Sequence, residues 1–128
     1  MNPLKISLIL LFFTFSFGTI TSQNCSILKN NSFTYRAQKD DILVEFKENE
    51  FIEYHQDKKY FIKSSIEWVS DCEYYLTVKE ATLPDFPFGK GTKLHIVVNK
   101  VKGSKVFYTS SMNGRTWQGK MKKIGKKS

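Results

Sequence analysis

The chain has 128 residues, with 20 Lys and Arg residues against 12 Asp and Glu residues, which gives a formal net charge of +8. Hydrophobic residues make up 41% of the sequence and aromatic residues 15%, which is too apolar for an intrinsically disordered segment. A chain of this length builds one domain around one core. The length therefore excludes a two-domain enzyme with a separate cofactor domain, and the composition leaves the ligand or partner open.

The first 23 residues have the order of a secretory signal peptide. Met1–Lys5 is basic, Ile6–Gly18 is apolar and Thr19–Gln23 is small and polar, which is the pattern of a cleaved export signal. The apolar run would rise only about 20 Å as a helix, short of the roughly 30 Å hydrocarbon core of a membrane. We expect cleavage between Thr21 and Gln23, an exported protein (periplasm, cell surface or extracellular space) and no transmembrane anchor in the mature chain.

Two cysteines follow the signal, Cys25 and Cys72. An even number of cysteines in an exported chain predicts a disulfide, and two cysteines allow one pairing. The residues before Cys25, Ser22-Gln23-Asn24, fit the pattern for lipid attachment poorly, so we expect no lipid anchor. Neither cysteine has a second Cys or His at the spacing of zinc ligands. We therefore expect no metal and no other cofactor.

From residue 32 onward, apolar and polar residues alternate, which is the pattern of half-buried β-strands, and no stretch has helical periodicity. In chain order the alternation predicts eight strands: Ser32–Arg36, Ile42–Lys47, Glu50–Gln56, Tyr60–Val69, Cys72–Lys79, Lys93–Val101, Lys105–Ser110 and Arg115–Lys122. The face predicted to point inward carries bulky side chains: Phe33, Tyr35, Phe46, Tyr54, Trp68, Tyr74, Tyr108 and Trp117. In the third strand this places Ile52 and Tyr54 inside.

Short polar breaks separate most of the predicted strands. Asn113-Gly114 is typical of a two-residue hairpin turn, and the longer Ala81–Thr92 contains two prolines, which predicts a surface loop. Connections this short cannot carry parallel crossovers. We therefore predict an all-β fold at residues 24–121, an antiparallel up-and-down meander of about eight strands that closes into a lipocalin-like barrel, with a β-sandwich as the alternative. Closure is favoured because it removes both exposed edges.

The segment Ile66–Leu76, with the sequence Ile-Glu-Trp-Val-Ser-Asp-Cys-Glu-Tyr-Tyr-Leu, resembles a hairpin of small exported proteins and lipoproteins of Bacteroidetes-type bacteria. In those proteins an early cysteine precedes a first strand of the pattern Lys-x-Gly/Asn-x-Phe-x-Tyr. Cys25 and Lys29–Tyr35 match that pattern here, and Trp68–Leu76 matches the hairpin. The resemblance implies a lipocalin-like barrel and an envelope or extracellular location, and it implies no particular activity.

Charge is distributed unevenly along the chain. Residues 24–85 hold 8 basic and 12 acidic groups, whereas residues 86–128 hold 11 basic and no acidic groups. We predict that the last 14 residues, including a basic tail at 122–128, bind anions through Arg115, Lys120, Lys122, Lys123, Lys126 and Lys127. An anionic envelope polymer or lipid headgroups would fit such a surface, although a solvated tail that keeps the protein soluble has the same composition. Only Trp117 is interleaved with these charges, so we expect no nucleic-acid partner.

An eight-stranded barrel is either filled by its side chains or just wide enough for one small ligand. The bulky inward face favours a filled core, whereas Ser64 on that face indicates spare room or a bulge. If the interior is hollow, we predict a small apolar ligand lined by Tyr35, Tyr54, Trp68 and Tyr74. A third alternative is a protein-interaction module that uses apolar residues of the outer face.

We expect no enzymatic activity. His55 and His95 stand 40 residues apart in the sequence, without a Ser, Cys or carboxylate at the spacing of a catalytic motif, and we expect His55 on a solvated strand face. Gly89-Lys90-Gly91-Thr92 lacks the spacing of a phosphate-binding loop. The sequence therefore predicts an exported, non-enzymatic binding protein.

Overall fold

The structure, a computed structural model, describes residues 24–125. The predicted signal peptide and its cleavage site lie outside the described residues. A 3₁₀ turn, Cys25–Ile27, precedes eight strands: β1 (Ser32–Ala37), β2 (Asp40–Phe46), β3 (Glu50–His55), β4 (Tyr60–Ser70), β5 (Glu73–Ala81), β6 (Lys93–Lys102), β7 (Lys105–Met112) and β8 (Arg115–Lys123). Each strand pairs antiparallel with the next, and β8 pairs with β1. The predicted all-β meander is confirmed, and it forms a closed barrel rather than a sandwich.

Because the strands alternate in direction, their connections fall at two ends of the barrel. The turns β2–β3, β4–β5 and β6–β7 lie at one end, which we call the plugged end because the N-terminal 3₁₀ turn crosses it. There Leu28 has no exposed surface and Cys25 is 1% exposed. The other four connections, including the long loop 82–92, lie at the opposite end, which we call the loop end.

Aromatic rings fill the barrel near the plugged end. The Trp68 ring lies 4.9 Å from Tyr74 and 6.2 Å from Phe46, measured between centroids. On its outer side Trp68 is covered by Lys29, whose Nζ is 4.9 Å from the ring centroid and 3.1 Å from a carboxylate oxygen of Asp71. This end of the barrel is therefore packed with side chains.

A disulfide joins Cys25 to Cys72, which confirms the predicted pairing. It ties the N-terminal plug to the β4–β5 turn. A disulfide of this kind is compatible with an oxidising, exported location. Within residues 24–125 no helix is long and apolar enough to cross a membrane.

The sequence prediction of which β3 residues point into the barrel is wrong. Glu53 lies opposite Val44 of β2 and Ile62 of β4, and residues opposite each other in antiparallel strands point to the same face. Since Val44 and Ile62 point inward, Phe51, Glu53 and His55 do so as well.

Ile52 and Tyr54 consequently lie on the outer face of β3, and His55 is not on a solvated face. The reason is that β3 carries apolar residues at both parities, so alternation alone could not select a face. Ile52 is only 2% exposed although it points outward. Ile52, which the alternation of apolar residues assigned to the barrel interior, is therefore buried on the outer face of the barrel instead.

The end of β8 also differs from the sequence prediction. Lys122 was predicted both as the last strand residue and as the first tail residue, and Lys123 only as part of the tail. Both belong to β8 and pair with Thr34 and Phe33 of β1. These pairs close the barrel, because they are the two register pairs that join β8 to β1.

Removing the disulfide tests whether the plug stabilises the barrel. The Cys25→Ser/Cys72→Ser variant should lose about 4 kcal/mol of unfolding free energy, because the bond closes a loop spanning 47 residues and restricts the unfolded chain. Denaturant unfolding of the variant and of the oxidised wild type measures the difference. Reduced wild type should match the variant, and equal stability of the oxidised and reduced proteins would contradict the prediction.

Candidate ligand-binding cavity

The half of the barrel toward the loop end is hollow. It encloses a cavity of about 590 Å³, which lies within the range of small-molecule sites, roughly 300–1,000 Å³. Small residues provide the space, since Ser64 and Ser110 occupy inward positions on β4 and β7. The interior therefore has a filled half, packed with aromatic rings at the plugged end, and a hollow half, where the inward side chains are small.

Most of the cavity wall is apolar. The apolar lining on the strands consists of Val44, Phe51, Ile62, Leu76, Val78, Leu94, Ile96 and Met121. The loop 82–92 adds Leu83, Phe86 and Phe88 at the mouth, where the two phenylalanine rings meet edge to face at 5.4 Å. The predicted surface loop therefore forms part of the cavity rim, and Trp117, 39% exposed, also lines the cavity.

The seam between β1 and β8 is the shortest strand pairing in the barrel. It holds two register pairs, whereas β7 and β8 share eight. Beyond these pairs, Arg36 of β1 and Lys120 of β8 line the cavity although both occupy outward positions in their strands. The wall is therefore incomplete along this seam.

Tyr108 occupies the space above Gly119. The two residues lie opposite each other in the β7–β8 register. A Cβ atom at position 119 would overlap the Tyr108 ring, so the absence of a side chain at Gly119 allows this ring to lie flat on the neighbouring strand.

A polar cluster projects into the cavity from β3 and its surroundings. The Tyr35 hydroxyl donates a hydrogen bond of 2.6 Å to Oε1 of Glu53. His55 Nε2 lies 3.4 Å from the same oxygen, but without the geometry of a hydrogen bond, and this buried nitrogen has no hydrogen-bond partner within residues 24–125. The side chains of Glu53 and His55 are 22% and 15% exposed. The carboxylate and the imidazole are thus largely removed from bulk water.

Three tyrosines around this carboxylate remain protonated. Burial, followed by the negative charge of Glu53, raises the pKa of Tyr108 from 10.0 to about 12. The same two causes, together with the hydrogen bond to Glu53, raise the pKa of Tyr35 well above its usual value. Burial also raises the pKa of Tyr74, with smaller contributions from Tyr108 and Glu53. At neutral pH these phenols are neutral groups that are able to donate hydrogen bonds, as Tyr35 does to Glu53.

Of the four residues predicted to bind a ligand, the structure brings two into the cavity. Tyr35 and Tyr74 line it. Tyr54 lies on the outer face of β3, beside Lys58, and Trp68 packs in the filled half of the barrel. Glu53 and His55 were missed because the face of β3 was assigned from Ile52 and Tyr54.

The predicted anion-binding residues are spread over β8. Lys120 and Lys122 share its outer face, whereas Lys123 has the inward parity and is half-buried, and Arg115 lies in the β7–β8 hairpin at the loop end. Lys126 and Lys127 lie outside the described residues.

The pairing of β8 with β7, and of β7 with β6, places more lysines near Lys120 and Lys122. Lys122 lies directly opposite Lys105, and Lys120 lies opposite Phe107, whose ring centroid is 5.8 Å from Lys100 Nζ. No lysine or arginine between residues 86 and 125 forms a salt bridge to a described carboxylate. We call the exposed side chains of Lys100, Lys105, Lys120 and Lys122 the basic face.

No protein-family model, curated protein or solved structure matches the chain. The resemblance to exported proteins of Bacteroidetes-type bacteria therefore stays a prediction. A function has to be inferred from the chemistry of the cavity and of the basic face.

Substituting Gly119 tests the packing of Tyr108 in the cavity wall. Gly119→Ala should lower the unfolding free energy by about 1–3 kcal/mol, because the added methyl group overlaps the Tyr108 ring and forces it to move. Thermal or denaturant unfolding measures the change. Gly89→Ala is the control, since a Cβ there meets no atom within 4 Å. Equal stability of the two variants would contradict the described position of Tyr108.

Proposed function

We propose that the protein is an exported, non-enzymatic binding protein that holds one small, largely apolar ligand in its barrel. The observation that carries this proposal is the cavity of about 590 Å³ with apolar walls and an aromatic rim. Burying apolar ligand surface against such walls contributes about 25 cal/mol per Å². The disulfide between Cys25 and Cys72 supports export, because such bonds persist in oxidising compartments.

The chemistry of the polar cluster favours binding over catalysis. A general acid or base works best with a pKa near the operating pH, whereas Tyr35 and Tyr108 have raised pKa values. These phenols are suited to fixing the orientation of a ligand by donating hydrogen bonds. A few polar groups in an otherwise apolar cavity serve that purpose in small-molecule sites.

Titration with the neutral fluorescent probe N-phenyl-1-naphthylamine tests the cavity directly. The folded protein should bind one equivalent, with increased emission, because the apolar probe leaves water. Ser64→Phe should weaken binding about tenfold or more, since Ser64 is 3% exposed and the added ring enters the cavity. Fluorescence titration and native mass spectrometry give the affinity and the stoichiometry.

The matched control is Ser65→Phe, the same substitution at the next position of β4. Ser65 lies opposite Glu50 and Thr77 and points outward, so this variant should bind the probe as the wild type does. No saturable binding by the folded wild type, or equal loss in both variants, would refute a ligand site inside the barrel.

The basic face supports a second candidate function, binding of an anionic polymer at the cell envelope. Lys105 and Lys122 are direct cross-strand neighbours, and like charges in such pairs are destabilising. Bound anions would relieve this repulsion. Phe107 lies between Lys100 and Lys120, which adds an apolar contact to the charged surface.

Removal of three lysines tests this second function. The Lys105→Gln/Lys120→Gln/Lys122→Gln variant should elute from immobilised heparin at a lower salt concentration. The slope of log K for heparin binding against log salt concentration should become less steep by about two to three. The control variant, Lys39→Gln/Lys58→Gln/Lys59→Gln, removes the same charge from exposed turns at the loop end. If both variants lose retention equally, net charge rather than the basic face is responsible.

A further inference from the structure

We infer that the ligand is a primary amine with an apolar body, and that Glu53 is the counterion of its ammonium group. This inference rests on the proposed ligand site and names the chemical class that the site prefers. Glu53 is the one carboxylate among the cavity-lining residues, all of which lie within residues 24–125. The polar cluster of Tyr35, Glu53 and His55 is therefore negatively charged at Glu53.

Within residues 24–125 no lysine or arginine forms a salt bridge with Glu53. Arg36 reaches the cavity lining, but its guanidinium pairs with Asp41 at 3.2 Å. Lys120 is exposed and belongs to the basic face. Neither cation lies within salt-bridge distance of Glu53, which is contacted by the Tyr35 hydroxyl at 2.6 Å and by His55 Nε2 at 3.4 Å.

The carboxylate also has hydrogen-bonding capacity left. Tyr35 occupies Oε1, and no described residue donates a hydrogen bond to Oε2. A carboxylate accepts several hydrogen bonds, and covering it with an apolar ligand would remove its water without replacing these bonds, which is unfavourable. A ligand that brings its own N–H donors and a positive charge avoids that cost.

His55 provides a second acceptor beside the carboxylate. With its proton on Nδ1, the imidazole presents the lone pair of Nε2, which is the buried nitrogen without a hydrogen-bond partner. An ammonium group has three N–H donors, so one group can bind both the Glu53 carboxylate and His55 Nε2. An alcohol has a single donor and no charge, and a carboxylic acid would be repelled by Glu53 when ionised.

The position of Glu53 also fits a ligand with one polar end. Glu53 lies two residues deeper along β3 than His55, which is about 7 Å at the usual rise of a strand. Apolar side chains of β5 and β6, among them Leu76, Val78, Leu94 and Ile96, line the same cavity. The ammonium group would therefore bind inside the barrel, with the apolar body against these strands.

Three probes with the same naphthalene ring test the inference: 1-naphthylmethylamine, 1-naphthalenemethanol and 1-naphthoate. Titration calorimetry at neutral pH should show the amine binding about tenfold to a hundredfold more tightly than the alcohol, because a charge-assisted hydrogen bond replaces a neutral one. The carboxylate should bind most weakly. Glu53→Gln should bring the amine affinity down to that of the alcohol and leave the alcohol affinity nearly unchanged.

Glu67→Gln is the matched control, because Glu67 is exposed on β4 and its loss changes the net charge equally. It should keep the preference for the amine. An amine preference that persists in Glu53→Gln would overturn the role of Glu53, and an alcohol that binds the wild type as tightly as the amine would overturn the inference while leaving the ligand site intact. Failure of all three probes and of N-phenyl-1-naphthylamine would refute the proposed function itself. The wild-type comparison remains decisive if Glu53→Gln does not fold.

Discussion

The pairing register of β3 decides what chemistry the barrel contains. A shift of one residue exchanges the two faces of a strand, so the interior would receive Ile52 and Tyr54 in one register and Glu53 and His55 in the other. The observed pairing of Glu53 with Val44 and Ile62 selects the second. The carboxylate, its hydrogen bond from Tyr35 and the buried His55 nitrogen all follow from this pairing.

The two halves of the interior perform different tasks. In the plugged half, Leu28, Phe46, Trp68 and Tyr74 pack closely, and the disulfide holds the plug against the β4–β5 turn. The loop half contains serines and a glycine at inward positions and encloses the cavity. Since an open cavity lacks the packing contacts that stabilise a core, the filled half and the disulfide supply the stability that the hollow half does not.

Alternation and turn signals were sufficient to predict the fold, because apolar and polar residues alternate along the strands and the connections are short. The pairing of Cys25 with Cys72 followed from there being two cysteines. The site was only partly predictable. Tyr35 lies on a strand with one apolar face, so the sequence was sufficient to predict that it points inward. In β3, Phe51 and Ile52 lie on opposite faces, so the inward face could be assigned only from the pairing register of β3 with its neighbours. Lys123 was predicted as part of a charged tail because its pairing with Phe33 of β1 depends on closure of the whole barrel.

The polar cluster has an energetic cost that a purely apolar cavity would avoid. A partly buried carboxylate needs donors, and here the protein supplies one hydrogen bond, from Tyr35, while the phenols of Tyr74 and Tyr108 stay neutral nearby. Replacing Glu53 by an apolar residue of similar size would remove the desolvation cost and strengthen the core. A barrel that keeps a carboxylate, an unpartnered imidazole nitrogen and three neutral phenols inside apolar walls forgoes stability that an apolar interior would give. The proposed ligand would account for this cost, since its N–H donors and positive charge would pair with the Glu53 carboxylate and the His55 nitrogen.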